Sequence, residues 1–264
     1  MVQRIKVQCP AKINLGLKIV NRRPDGFHNI ESVMQTVSLY DYLTIKYQKV
    51  EQQVIRLSGS SDEIPYDERN IVYKAIVLFL NALNIGGVVD VFIEKNIPVA
   101  AGLAGGSSDA AGVLLGLNEL LGCPLSDDML HNLCAQLGSD LNFCLVGGCK
   151  ITSSRGEVLD DAEFVEKSVS LIKPRDLGIS AKEAYTKFAN KEKNMLRDEF
   201  ANDLEWAVID DYPQLQKIKQ MYPCAIMTGS GSTYFAFDTI FAQSEDCWVK
   251  NGLKTVNHGV RVCQ

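Results

Sequence analysis

Along the first third of the chain apolar and polar residues alternate in VQRIKVQ, INLGLKIV, IESVMQTVSL and DYLTIKYQ, the period-two pattern of half-buried strands. Arg23, Pro24, Asp25 and Gly26 interrupt this alternation. Proline second and glycine last suit a type I turn, so antiparallel strands are expected on either side. From Asn70 the spacing becomes helical, with Ile71, Ala75, Leu78, Phe79 and Ala82 on one face. A strand, VVDVFIEKNI, and a helical run, AGVLLGLNELLG, follow. SDDMLHNLCAQLG predicts a further helix, opened by Ser126 as N-cap and stopped by Gly138. DLNFCLVGGCKIT and SVSLIKP read as strands. From about Ser180 the pattern predicts helices over AKEAYTKF, NDLEWAVID and PQLQKIKQM, strands over CAIM and TYFAFD, a helix over TIFAQSEDCWVKNG and a strand over KTVNHGVRVC. The expectation is an α+β chain, strand-rich at first and mixed afterwards.

Composition narrows what such a chain can do. Its 264 residues are 46% hydrophobic with only 8 prolines, enough for a large core in one domain or two closely packed lobes. The net charge of −5 is mixed along the chain, with no basic stripe for nucleic acid and no polybasic patch for a membrane surface. No run reaches the ~18 apolar residues of a membrane span and the N-terminus lacks a signal peptide's apolar region, so a soluble cytoplasmic protein is expected. The eight cysteines are scattered, and Cys144 and Cys149 are too loosely spaced for the usual zinc knuckle, which favours buried free thiols. No linker separates the halves. A soft boundary is placed at 160/161.

Between the strand VVDVFIEKNI and the helical run lies PVAAGLAGGSSDAA. Glycines there let a ligand approach the backbone without meeting a Cβ, while the helix start supplies free N–H groups, a partial positive charge and the hydroxyls of Ser107 and Ser108. That is an anion site, usually for phosphate; a tight loop with a capped helix is the plainer reading. The stretch lacks the Gly-Lys-Ser/Thr ending of a Walker A loop and the spacing of a dinucleotide fingerprint. A second cluster, TGSGST from Thr228 to Thr233, reads either as a hairpin turn or as the opposite wall of the same cleft.

PVAAGLAGGSSDAA resembles the phosphate loop of the GHMP kinases, the superfamily of galactokinase, homoserine kinase and mevalonate kinase. Three further stretches, AKINL from Ala11 with DGFH ending at His28, LGSDLNF from Leu137, and TGSGST, are similar in order and spacing to the branch that phosphorylates a cytidine-diphosphate-linked methylerythritol in the non-mevalonate isoprenoid route. The likeness runs from about Ile5 to the last strand. It implies a two-lobed fold, a ribosomal-protein-S5-like lobe followed by a ferredoxin-like lobe, with the active site in the cleft. It also implies ATP with Mg2+, and a monomer or weak homodimer.

The resemblance assigns roles residue by residue. Lys12 and Asp140 are the expected catalytic pair, the carboxylate taking the hydroxyl proton and the ammonium balancing phosphate charge. Each, taken alone, reads as a solvated surface residue, but Lys12 interrupts an apolar strand where solvation has to be arranged. The ATP phosphates are expected along Pro98, Val99, Ala100, Ala101, Gly102, Leu103, Ala104, Gly105, Gly106, Ser107 and Ser108, with Ser108 on the metal side. Asp109 is expected only to complement the helix dipole. His28 is expected to bond the cytosine, Phe27 to line its site, Tyr185 to stack on it, and Asn14 to hold the methylerythritol hydroxyls. Gly229, Ser230 and Gly231 complete the substrate wall. Without the resemblance, His28 reads as a turn-capping residue and Tyr185 as a core-edge one.

Two positions depart from the family pattern. Ala104, often glycine in relatives, is expected to be tolerated if its φ is negative. Met34 replaces a common aromatic and is expected to cover a ring face. Two competing readings remain: a kinase for another alcohol, which would lack Phe27, His28 and Tyr185 as a set, and a non-catalytic sensing module, which would lack Lys12 or Asp140.

Overall fold

The computed structural model describes residues 2–191 and 195–263. The alternating N-terminal segments form two long strands, β1 (Gln3–Arg22) and β2 (His28–Gln48), paired antiparallel from Gln3↔Tyr47 to Arg22↔His28. The expected turn closes them, Gly26 N–H donating to Arg23 O at 3.1 Å. Register shifts at Pro10/Ala11, Asn14/Gly16 and Ile19/Asn21 bend the ribbon, and such bulges re-aim side chains.

The chain continues through β3 (Gln53–Gly59), α1 (Ile71–Leu83), β4 (Gly87–Glu94), α2 (Gly105–Leu120), α3 (Asp127–Leu137), α4 (Leu141–Val146), β5 (Cys149–Ser153) and β6 (Val158–Asp161). One sheet has the order β3-β4-β2-β1, with β5 on the stretch of β2 beyond β4 and β6 on β5. The cap predicted at Ser126 holds, its Oγ accepting from Met129 N–H, and Asn70 caps α1, its Oδ1 accepting from Val72 N–H. The helices cover one face of this sheet, burying Val7, Leu43, Ile45, Phe79, Val91 and Leu114 in one core. A Cβ on Gly112 would lie 2.4 Å from Cys9 Sγ and one on Gly116 2.4 Å from Ile45 Cδ1; these glycines let α2 lie directly on the sheet, placing its N-terminus beside β1.

The second sheet has the order β10-β7-β9-β8, from β7 (Ser168–Pro174), β8 (Ile226–Met227), β9 (Tyr234–Phe237) and β10 (Cys247–Lys254). Packed with it are α5 (Ala181–Asn190), α6 (Asp203–Val208) and α7 (Pro213–Met221). The halves are not independent. Leu17, Ile19 and Ile30 of the β1–β2 ribbon enter the core of the second half with Trp206, Leu215 and Tyr234. Another cluster joins Ile13, Val37 and Leu103 to Val169, Leu171 and Phe235. The last strand, β11 (Arg261–Val262), returns to pair with β1.

Three expectations are corrected and one element is added. DLNFCLV is helical as α4, because Leu141, Phe143 and Cys144 bury together; a short apolar run cannot distinguish helix from strand by period. The helix expected over TIFAQSEDCWVKNG is instead a loop leading into β10, whose Trp248 and Val249 pair with Lys173 and Ile172, tertiary pairing overriding local pattern. The strand expected over KTVNHGVRVC shrinks to the two residues of β11. The half-exposed strand β3, parallel to β4, was not anticipated.

Candidate active site

Lys12 and Asn14 lie two residues apart on β1, so their side chains share a face. Both are buried. Lys12 Nζ donates to Asn14 Oδ1 at 2.6 Å and stands 3.7 Å from Asp140 Oδ2. Asn14 in turn donates through Nδ2 to Ser32 Oγ at 2.8 Å. Asp140 occupies the N-cap position of α4, its side chain one-third exposed toward the cleft. A buried ammonium, an amide and a partly open carboxylate therefore meet at one point.

The two glycine clusters meet there too. Lys12 N–H donates to Leu103 O at 3.1 Å, Asn14 N–H to Thr228 Oγ1 at 2.9 Å, and Thr233 N–H to Ala101 O at 3.4 Å. Gly102 has φ +74°, and a Cβ on it would lie 2.2 Å from Thr228 O. A Cβ on Gly229, at φ +55°, would lie 2.8 Å from Gly102 O and 3.2 Å from Lys12 Nζ. Only glycines permit this approach.

Helix α2 begins at Gly105, so the last part of the glycine-rich stretch is its first turn. Ser108 N–H makes the first intrahelical bond, to Ala104 O at 2.9 Å. The N–H groups just before it lack helical acceptors and face the cleft, as an anion site requires. Ala104 has φ +55°, so the negative value on which its easy tolerance was conditioned is not met: alanine holds a left-handed conformation at the helix entrance.

This cleft has a volume of about 1080 Å³ and is lined by Lys12, Asn14, Asp140, Gly229, Ser230 and the whole stretch from Pro98 to Ser107. Ser108 and Gly231 are not part of its lining. Ser108 is fully buried, its Oγ without a hydrogen-bond partner, and Gly231 turns inward, donating to Thr228 O at 3.0 Å.

Toward one end lie Phe27, His28 and Tyr185. The His28 and Tyr185 rings stack on each other, 5.1 Å apart and 14° from parallel. Phe27 is 52% exposed, with the Arg155 guanidinium 5.2 Å from its ring centre. Burial, aided by the Arg22 charge, lowers the His28 pKa, and burial with the Asp140 charge raises that of the Tyr185 phenol. Met34 is buried, and a Cβ on Gly156 would lie 3.7 Å from Met34 Cε. Ile64, Pro65, Asn70 and Ile71 also line the cleft, in a region with no motif in the sequence.

Asp109 does more than complement a dipole. Its Oδ2 lies 3.4 Å from Lys95 Nζ, which also bonds Asp41, and all three side chains are almost wholly buried. Asp41 Oδ1 accepts from Asn96 and Ile97 N–H at 2.6 and 2.8 Å. Burial opposes the Lys95 charge, but Asp109 and Asp41 hold its pKa above the ordinary value; burial pushes the Asp109 carboxyl up against the pull of Lys95. The triad ties α2 to β2 and β4. Asp41 breaks an apolar strand as Lys12 does, a signal that could have revealed it, whereas Lys95 reads as an ordinary strand-end charge.

Residues 70–148 match the model of the GHMP kinase N-terminal domain. The 4-diphosphocytidyl-2-C-methyl-D-erythritol kinase of Clostridium tetani is 36% identical, covering 93% of this chain and 95% of its own. That of Enterococcus faecalis is 35% identical, covering 94% of each. A crystal structure of 4-(cytidine 5′-diphospho)-2C-methyl-D-erythritol kinase superposes with a TM-score of 0.73 at 27% identity, over 97% of this chain and all of the other. Homoserine kinase from Cytophaga hutchinsonii gives 0.74 at 17% identity, over 98% and 97%, so backbone shape is shared across acceptors and does not separate them. The α+β, two-lobed architecture is the GHMP kinase fold. Full-length identity and the site's own residues together place the chain in the 4-diphosphocytidyl-2-C-methyl-D-erythritol kinase family of the GHMP kinases.

Proposed function

We propose that this chain transfers the γ-phosphoryl group of ATP to the 2-hydroxyl of 4-(cytidine 5′-diphospho)-2-C-methyl-D-erythritol in the non-mevalonate isoprenoid route. The observation that carries the reading is the Lys12–Asp140 pair, 3.7 Å apart, between the N-terminus of α2 and the His28–Tyr185 aromatic end. Asp140 takes the hydroxyl proton as the new P–O bond forms and ADP leaves. Lys12 balances charge on the transferring oxygens, and the free N–H groups from Gly105 to Ser107 receive the phosphates. Asn14 orients the acceptor hydroxyls. Phe27, His28 and Tyr185 receive the cytosine, the base displacing the His28–Tyr185 stack.

No group of three or more His, Cys, Asp or Glu suited to a metal occurs among the described residues. A magnesium ion would be carried on the ATP phosphates, with the Ser107 hydroxyl at the cleft as the protein oxygen available to hold it; Ser108, expected on the metal side, is buried outside the cleft lining. When bound, that ion neutralises phosphate charge.

The reading extends to a cytoplasmic monomer or weak homodimer that engages neither nucleic acid nor membrane; no described helix is long and apolar enough to cross one. We divide the chain into lobes 1–160 and 161–264, a division supported by the passage between sheets after β6, although β11 rejoins the first.

An ADP-release assay with magnesium and ATP tests the activity, offering the cytidine substrate beside homoserine, mevalonate and galactose. Turnover of the cytidine substrate alone is expected. Turnover of another alcohol instead, or of none while ATP binds, would overturn the reading.

A further inference from the structure

The segment Asn202-Asp203-Leu204-Glu205 at the start of α6 is buried throughout, yet none of its side chains lines the cleft except Leu204. Three of the four are polar, which is costly in a core unless each is bonded. Asp203 accepts from Ile19 N–H at 2.7 Å and pairs with Lys18 and Arg197, fastening α6 to β1 a few residues beyond Lys12. Asn202 Nδ2 donates to Met227 O at 2.7 Å and Gly229 O at 2.9 Å, while its Oδ1 caps α6 through Leu204 N–H. Glu205 Oε2 accepts from Met227 N–H at 3.2 Å. The strand entering the second glycine loop is thus held from behind by both its N–H and its carbonyl oxygens.

That loop presses on the reaction centre. Between the two carbonyls held by Asn202 stands Thr228, whose Oγ1 accepts from Asn14 N–H and whose carbonyl abuts Gly102; Gly229 packs against the Lys12 ammonium. We infer that Asn202 is a positioning residue for phosphoryl transfer, its amide setting the loop that confines Lys12 and Asn14 opposite Asp140. The inference rests on the kinase reading above. Only a donor works here, because both partners are carbonyl oxygens and a carboxylate would face them with like partial charge.

Asn202→Asp and Asn202→Ala in the full chain test it, with kcat, KM for both substrates, ATP affinity by calorimetry and thermal unfolding measured from about pH 5.5 to 8.5. At the alkaline end Asn202→Asp should lose about 100-fold in kcat, the scale of a small misplacement at a reacting centre, with ATP affinity within threefold of wild type. On acidification its activity relative to wild type should recover in part, because a protonated carboxyl donates one of the two lost bonds; Asn202→Ala should be slow at every pH. Wild-type kcat in Asn202→Asp at alkaline pH would overturn the positioning role, as would a pH-independent loss that tracks ATP affinity and melting temperature. An inactive wild-type chain would overturn the kinase reading first, and this inference with it.

Discussion

The Lys12 ammonium stands 3.7 Å from Asp140 Oδ2 and 2.6 Å from Asn14 Oδ1, so a strand residue and the residue preceding a helix, far apart in the chain, meet at one point of the cleft. The separation leaves the carboxylate free of a tight bond to the ammonium and open on its cleft side. Asp140→Asn keeps the shape and removes the base. We expect kcat to fall by about two orders of magnitude or more, with calorimetric affinities for ATP and the cytidine substrate unchanged. A rate near wild type would remove Asp140 from the mechanism.

At the His28–Tyr185 end of the cleft, burial and the Arg22 charge lower the His28 pKa. Acidification below the ordinary histidine range must therefore charge it. KM for the cytidine substrate should rise only there, while KM for ATP does not follow. Tyr185→Ala should raise the same KM by the ~1–3 kcal/mol of a stacked base. A pH profile identical in His28→Ala and wild type would separate His28 from the base site.

The Asp41–Lys95–Asp109 triad makes a stability prediction. Lys95→Met leaves the buried Asp41–Asp109 pair without its cation and should cost about 3–5 kcal/mol, read from denaturant unfolding. Because burial raises the Asp109 pKa, the folded chain holds that proton to higher pH than the unfolded one, so this contribution to stability falls as pH rises above the ordinary carboxylate range. Asp109→Asn should abolish that slope. An unaltered slope would show that Asp109 is not its source.

Ala104 at φ +55° is under backbone strain that glycine would relieve. Against this, glycine costs more chain entropy on folding. Ala104→Gly should still gain about 0.5–1 kcal/mol, raising Tm by about 1–4 °C, while Ala104→Val should lower it. A lower Tm for the glycine variant in a calorimetric melt would mean that the strain is absorbed elsewhere.

How much of this was legible follows the range of the interactions. The Arg23–Gly26 turn and the Ser126 cap act within a few residues, so their chemistry is written locally. Cys247–Lys254 shows the opposite case: most of it was read as the end of a helix, but pairing with β7 makes it a strand. Lys95 looked like any strand-end lysine because its two partners, Asp41 and Asp109, lie 54 and 14 positions away.

AKINL, the glycine-rich stretch, LGSDLNF and TGSGST, in that order, carried the resemblance to the family in the sequence alone, because each motif is contiguous in the chain. Only the tertiary structure decided that Ser108 and Gly231 face away from the cleft, that His28 stacks on Tyr185, that Ala104 is left-handed, and that Asn202 braces the loop behind Lys12. Those outcomes depend on which distant surfaces pack together to exclude water and satisfy buried donors, and burial of that kind belongs to the folded chain as a whole.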